Sequence, residues 1–170
     1  MLENQMMLLA VFERAALMLM TLFLLTRTRP FKRLFQKRDH TPAELVLVAS
    51  IFCLFAVFST YTGIPVEGAL INVRIIAIIS GGILFGPWVG IPAGVISGLH
   101  RYLIDMDGHT SIPCLIASII AGLLATWLHL RCRKSRLWLY GILAGMLCEG
   151  LTMLLIWLLT EPHEVGVEIV

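Results

Sequence analysis

Six predominantly apolar runs divide the chain, and each is about as long as a membrane crossing requires. They cover residues 6–25, 45–61, 71–85, 88–104, 112–130 and 137–160. A helix needs about 20 apolar residues to cross about 30 Å of hydrocarbon. With 58% hydrophobic and 14% charged residues, a chain of this size has too much apolar side chain to bury in a globule. This excludes a soluble enzyme, a disordered chain and a disulfide-stapled secreted module. We predict an all-α fold, a polytopic transmembrane helical bundle of about six spans.

Basic residues cluster in two of the connections between the runs. The positive-inside rule places both connections in the cytoplasm, whereas the loops on the opposite side carry acids and no Lys or Arg. Counting spans from either cluster puts the N-terminus outside, so the two clusters predict the same topology. The basic residues are Arg27, Arg29, Lys32, Arg33, Lys37 and Arg38 in the first connection, and Arg131, Arg133, Lys134 and Arg136 in the second.

The third and fourth runs are short and interrupted by Gly and Pro. Such helices are tolerated at membrane depth where other parts of the protein cover them or where they line a cavity. The alternative is a tight helical hairpin that binds no ligand and is held by small-residue packing. The residues concerned are Gly81, Gly82, Gly86, Pro87, Gly90, Pro92, Gly94 and Gly98.

One face of the fourth run combines small residues with a cation. Gly90, Gly94, Gly98 and Arg101 are spaced by four, four and three residues, which places them on one helical face. Glycines at this spacing let another helix backbone approach closely. The face therefore packs inward and carries Arg101 to the bundle interior, near the outer end of the span.

Arg74 lies near the same outer surface, early in the third run. An arginine at membrane depth costs about 2.5–3.5 kcal/mol at the bilayer centre and is usually paired or functional. Together with Arg101 it could clamp an anion, since two guanidinium groups offer bidentate donors to a carboxylate or phosphate. The alternative is that loop acids, namely Glu67, Asp105 and Asp107, neutralise both arginines.

The fifth run adds a weakly polar stripe at the same level. Cys114, Ser118, Gly122 and Ala125 repeat at the spacing of four, four and three, so the thiol and hydroxyl converge with the two arginines on a pocket for a small anion. The sixth run carries a similar stripe, made of Gly141, Gly145, Glu149 and Thr152. We expect this stripe to face inward as well.

Other polar residues of the spans favour structural roles. Glu149 is expected to form a buried pair with Arg14, with a protonatable switch as the alternative, and His100 to bond a neighbouring helix. The four cysteines have no C-x-x-C spacing, which indicates single thiols. The histidines lack metal-ligand spacing, and no cofactor or nucleotide motif is present. We therefore expect no metal and no cofactor.

The segment 72–114 carries a specific set of motifs. It contains N-x-R, then GG-x3-GP-x2-G, then G-x-HRY, and ends at Cys114. It resembles the membrane sensor region of LytS-type sensor histidine kinases, the five-transmembrane LytS/YhcK receptor domain. The segments LLAVFERAALML, FSTYTGIPVEG and GMLCEGLTM extend the resemblance over essentially the whole chain.

The resemblance implies a receptor whose membrane domain binds an extracellular ligand. That domain signals to a cytoplasmic GAF domain and a kinase, which phosphorylates a LytTR-type response regulator. Pyruvate-binding relatives use two arginines, a cysteine and a nearby serine. The serine position aligns with Ala117, and Ser118 follows it. The ligand-binding residues implied here are Arg74, Arg101, Cys114, Ser118, Ala117 and, from the N-x-R motif, Asn72.

We therefore expect residues 1–170 to form one transmembrane ligand-sensing domain of a multi-pass protein in the bacterial inner membrane. Its ligand would be pyruvate or a similar small carboxylate. The GAF and kinase domains are expected beyond this chain, which has no kinase H, N or G box and is not itself an enzyme. The kinase resemblance implies a homodimer, and no nucleic-acid partner is indicated. The alternatives are a substrate-binding subunit of an energy-coupling-factor transporter and a structural membrane partner without a small ligand.

Overall fold

The computed structural model describes residues 27–37, 40–61, 64–66, 69–71, 74–104, 106, 110–132 and 136–159, with scattered positions between 9 and 24. Most of the first predicted span therefore lies outside the described residues. The elements in chain order are α1 (Arg29–Gln36), α2 (Pro42–Tyr61), β1 (Ile64–Val66), β2 (Ala69–Ile71), α3 (Arg74–Phe85), α4 (Pro87–Ile104), α5 (Ser111–Arg131) and α6 (Leu137–Leu159).

The helices confirm the predicted membrane bundle. Among the described residues, α2, α5 and α6 are long and apolar enough to cross a bilayer, with 20, 21 and 23 residues. They correspond to the second, fifth and sixth predicted spans. The third predicted span is a shorter apolar helix, α3, with 12 residues, and the fourth is α4 with 18.

A small β-hairpin precedes α3 and was not predicted. Strands β1 and β2 pair antiparallel, with Ile64 opposite Ile71 and Val66 opposite Ala69. Because Ile71 belongs to a strand, the helix begins only at Arg74, three residues later than the predicted span. Pro65 is tolerated here since both strands of a two-stranded sheet are edges.

The start of α2 follows from a local sequence pattern, T-x-x-E. The Thr41 backbone N–H donates to Glu44 Oε2 over 2.8 Å, and the Glu44 N–H donates to Thr41 Oγ1 over 3.4 Å. This reciprocal pair satisfies donors that a helix N-terminus otherwise leaves without intrahelical partners. Glu44 also forms a salt bridge of 2.9 Å with Lys37, just after α1, which joins the two helices.

The turn between α3 and α4 requires a glycine. Gly86 has a φ of +79°, a conformation that other residues rarely adopt, and Pro87 then begins α4. A methyl group at Gly86 would lie 2.9 Å from the imidazole of His129. That ring in turn donates from Nδ1 to the Ile83 carbonyl oxygen over 2.8 Å, which ties the end of α5 to the end of α3.

Helices α4 and α5 are in backbone contact, as the glycine spacing predicted. A methyl group at Gly94 would lie 2.5 Å from the Ser118 carbonyl oxygen, and one at Gly122 would lie 2.5 Å from the Gly90 carbonyl oxygen. Gly82 of α3 joins the same contact, since a methyl group at Gly90 would lie 2.7 Å from its Cα. Three helices therefore meet at distances that side chains would prevent.

The stripe on α6 faces α3, but among the described residues it makes no backbone contact of this kind. Gly145 has no described atom of another element within 4 Å of the position of a Cβ. With Gly141 and Glu149 it lines a groove of about 710 Å³ against α3. Spacing alone places residues on one helical face, but it does not determine how closely the neighbouring helix approaches.

Candidate functional site

Arg74 lies where α3, α4 and α5 meet. It is the first residue of α3 and is only 2% exposed. Its Nη1 donates to the Ser97 carbonyl oxygen of α4 over 3.5 Å, and its Nη2 donates to the Cys114 carbonyl oxygen of α5 over 3.2 Å. A cation at a helix N-terminus is opposed by the helix dipole. The local electrostatics at this position therefore favour an anion.

Arg101 is fully buried on the last turn of α4. Its Nη2 donates to Thr110 Oγ1 over 3.1 Å, and Thr110 is the N-cap residue of α5. The Thr110 side chain makes no capping hydrogen bond to its own helix. The second guanidinium is thus held at the N-terminus of α5, a helix end that also attracts negative charge.

The carbonyl group of Cys114 is the shared acceptor of the site. It accepts from Arg74 and also from Ser118 Oγ, over 2.6 Å. Cys114, Ala117 and Ser118 are all buried, and their spacing of three and four places them on one face of α5. The thiol, the methyl group and the hydroxyl therefore lie along the same side of the helix, next to the arginine pair.

The two arginines bond successive turns at the start of α5, Arg101 at Thr110 and Arg74 at Cys114. Like charges held near each other repel, and Glu149 of α6, which lines a groove together with Ile75, would attract Arg74. Glu149 is the only acidic residue in the sequence of helices α3, α4, α5 and α6. An anionic group that reached this position would meet two guanidinium donors.

The structure brings together five of the six predicted ligand residues: Arg74, Arg101, Cys114, Ser118 and Ala117. The sixth, Asn72, lies outside the described residues, as do the alternative acidic partners Glu67, Asp105 and Asp107. Whether any of these residues contacts a ligand remains a prediction.

Two hydrogen-bonding residues of the site were not predicted. Ser97 precedes Arg101 by four residues, so the helical period places both on one face of α4. That spacing could have identified it. Thr110 stands two residues before the fifth apolar run, and threonine is a preferred N-cap residue. Its bond to Arg101 depends on how α4 and α5 are rotated about their axes, which the local sequence does not show.

The other predicted roles had mixed outcomes. His100 does bond a neighbouring helix, since its Nε2 lies 3.2 Å from the Tyr61 hydroxyl of α2. All four cysteines are free, as expected. The pair between Glu149 and Arg14 stays a prediction, because Arg14 lies outside the described residues.

Comparison with known protein families finds a match over most of the chain. The family model described as the 5TMR of 5TMR-LYT matches residues 28–170. This match begins after the first predicted span and contains the other five. Six predicted spans therefore agree with a five-transmembrane family region preceded by one more apolar run.

Curated relatives are sensor proteins of bacteria. The chain is 58% identical to the sensor histidine kinase YpdA of Escherichia coli K12 over 96% of the chain and 29% of that protein. It is 30% identical to the sensor protein LytS of Bacillus subtilis 168, over 94% of the chain and 30% of that protein. It is also 30% identical to the sensor histidine kinase BtsS of E. coli K12, over 95% and 29%.

The chain spans about 30% of the length of these relatives. No solved structure gives a significant match. The helices, the family match and the relatives agree on a membrane-embedded sensor module of the bacterial inner membrane. The chain belongs to the 5TMR-LYT family, as a membrane sensor domain of the LytS-type histidine kinases.

Proposed function

We propose that this domain binds pyruvate or a similar small carboxylate between Arg74 and Arg101. The observation that carries the proposal is that two buried arginines bond successive turns at the start of α5, Arg74 at Cys114 and Arg101 at Thr110. A guanidinium group presents its N–H donors in a fixed planar fork that matches a carboxylate. A carboxylate placed between the two arginines would accept charge-assisted hydrogen bonds from both.

The rest of the site suits a keto acid. The carboxylate would take the arginine forks, and the keto oxygen would lie near the Cys114 thiol and Ser118. The methyl group would lie against apolar side chains such as Ala117, which is buried on the same face of α5. The proposal involves no covalent step at Cys114.

Close helix packing supports a small ligand. A methyl group at Gly98 of α4 would lie 3.1–3.2 Å from atoms of Leu115 and Ser118 on α5. The two helices thus approach within van der Waals distance beside the arginine pair. A ligand of a few heavy atoms is compatible with this spacing, whereas a bulky one would have to separate the helices.

Signalling would follow from ligand-dependent helix positions. A ligand shifts an equilibrium between two helix arrangements only if it binds them with different affinity. Since both arginines contact α5 while lying on α3 and α4, a carboxylate drawn between them would change how these three helices pack. The glycine-lined pair α3 and α4 is the moving part in this proposal.

The proposed topology places the N-terminus and the arginine pair on the outer side of the inner membrane. Arg131 and Arg136, which flank the α5–α6 connection, would then lie in the cytoplasm. In the full-length protein, a GAF domain and a kinase would receive the signal, act as a homodimer and phosphorylate a LytTR-type response regulator. The sensor-kinase relatives support this arrangement.

A thermal-shift screen of small carboxylates on the full-length receptor tests the proposal. A ligand at about 100 times its dissociation constant adds about 2.7 kcal/mol to the free energy of unfolding. Pyruvate should raise the unfolding temperature of the wild type and of R136A, a control at an exposed arginine, but not of R74A or R101A. A stabilising acid whose effect survives both of the latter substitutions would place the site elsewhere. Flux of the acid into proteoliposomes would indicate a transporter.

A further inference from the structure

Helix α1 has two chemically different faces. Phe31 and Leu34 are buried, with Phe31 only 3% exposed, whereas Arg29, Lys32 and Arg33 are exposed. The two buried positions are three residues apart and the three basic ones are spaced by three and four, so each set occupies one side of the helix. Such a helix is typical of the boundary between a membrane and water.

Aromatic contacts fix α1 against the end of the bundle. The Phe31 ring lies edge-on to the Phe85 ring with 5.6 Å between their centroids, and 6.4 Å from the Phe52 ring. Phe85 is the last residue of α3, immediately before the turn at Gly86. Helix α1 is therefore held beside the α3–α4 turn and presents its basic face outward.

Further exposed basic residues lie at the same end. His129 of α5 bonds the Ile83 carbonyl oxygen near the end of α3, so the C-terminus of α5 is at this level. Arg131 ends α5, Arg136 precedes α6, and both are exposed. The α1 face and these two arginines together form what we term the basic collar: Arg29, Lys32, Arg33, Arg131 and Arg136.

Exposed tryptophans mark this end as the level of the lipid headgroups. Trp88, on the first turn of α4, is 70% exposed, and Trp138, on the first turn of α6, is 69% exposed. Tryptophan is enriched at membrane–water interfaces because its ring is apolar and its N–H seeks a polar partner. The basic collar thus lies next to the residues that are best suited to the headgroup layer.

We propose that the basic collar is a binding site for the headgroups of anionic phospholipids. Guanidinium groups bind phosphate bidentately and lysine adds a point charge. Basic clusters immediately beside a membrane span attract anionic lipids. A lipid is favoured over a free phosphate because the cations lie beside interfacial tryptophans, where a phospholipid presents its phosphate with its chains along the apolar helices. The inference does not depend on the ligand of the arginine pair.

Native mass spectrometry of the full-length receptor tests this proposal. The receptor is released from nanodiscs that contain equal amounts of phosphatidylglycerol and phosphatidylcholine, and the ratio of bound lipids is measured. We expect at least threefold enrichment of phosphatidylglycerol on the wild type. In R29Q/K32Q/R33Q the ratio should fall toward one.

The control is K37Q/E44Q, which removes a neighbouring cation together with the acid that neutralises it and should keep the enrichment. A second measurement avoids mutation, because 0.5 M NaCl should lower the enrichment on the wild type by screening the cations. A wild-type ratio of one, or an unchanged ratio in the triple variant, would overturn the proposal. Loss of the phosphatidylglycerol enrichment on the wild type in 10 mM inorganic phosphate would also overturn it, because the basic collar would then be a site for a soluble phosphate.

Discussion

Arg74 donates from Nη2 to the carbonyl oxygen of Cys114 over 3.2 Å, and this bond joins the first residue of α3 to the first turn of α5. The same carbonyl group accepts from Ser118. An anion that drew the Arg74 guanidinium toward Arg101 would weaken this link between the two helices. Binding of an anion would therefore change the packing of α3 against α5 through this bond.

Replacing Arg101 by lysine should show whether ligand binding needs the planar guanidinium group or only a positive charge. R101K keeps the positive charge but loses the planar fork that binds a carboxylate bidentately. We expect the dissociation constant for pyruvate to rise at least tenfold, which corresponds to about 1.4 kcal/mol. Isothermal titration calorimetry on the full-length receptor measures this change. R131K is the matched control at an exposed arginine, and equal losses in both variants would contradict the role of Arg101.

A methyl group at Gly94 should disrupt the contact between α4 and α5. The added Cβ would lie 2.5 Å from the Ser118 carbonyl oxygen, so the backbones must separate. We expect G94A to lower the free energy of unfolding by about 1–3 kcal/mol, the usual cost of overpacking, and to weaken ligand binding. Chemical denaturation in detergent measures the stability.

The control for this change is G150A on α6, where none of the described residues of another element has an atom within 4 Å of the Cβ position. Alanine has a higher helix propensity than glycine, by about 1 kcal/mol. G150A should therefore be neutral or stabilising. Equal destabilisation by both substitutions would show that the close approach at Gly94 is unimportant.

A hydroxyl at position 117 should strengthen binding of a keto acid. Ala117 is buried on the face of α5 that carries Cys114 and Ser118, and the resemblance to pyruvate-binding relatives implies a serine at this position. A net hydrogen bond contributes about 0.5–1.5 kcal/mol. We expect A117S to lower the dissociation constant for pyruvate roughly two- to tenfold, measured by calorimetry, and to leave that for acetate, which lacks the keto oxygen, unchanged. An equal gain for both acids would exclude a bond to the keto group.

The helical features of the fold could be predicted because they depend on local spacing. The run of Gly90, Gly94 and Gly98 indicates a face without side chains, and only a second backbone can fill the space beside it. The position of Arg101 on that face then predicts that its side chain is carried inward. Both features are present in the structure.

Features that depend on distant neighbours could not be predicted in the same way. The pairing of Ile64 with Ile71 involves strands of three residues, too short for a periodic pattern. The open groove beside Gly145 depends on the distance between α6 and α3. The bond from Arg101 to Thr110 depends on the rotation of two helices about their axes.

Removing the carboxylate of Glu149 should change which anions the site prefers. Glu149 lines the same groove as Ile75, the residue after Arg74, so its carboxylate would offset part of the charge of the arginine pair. E149Q raises the net charge near the site by one. A dianion gains more than a monoanion from that change, because the interaction energy scales with the product of the charges.

We therefore expect E149Q to tighten binding of oxalate, a dianion, several-fold more than binding of pyruvate, with calorimetry on the full-length receptor as the measurement. T152V is the control, since it alters a polar residue of the same helix whose hydroxyl donates to the Cys148 carbonyl oxygen without changing charge. If the ratio of the two affinities is the same in E149Q as in the wild type, Glu149 does not act on the arginine pair. In that case its place in the groove between α3 and α6 has a structural role only.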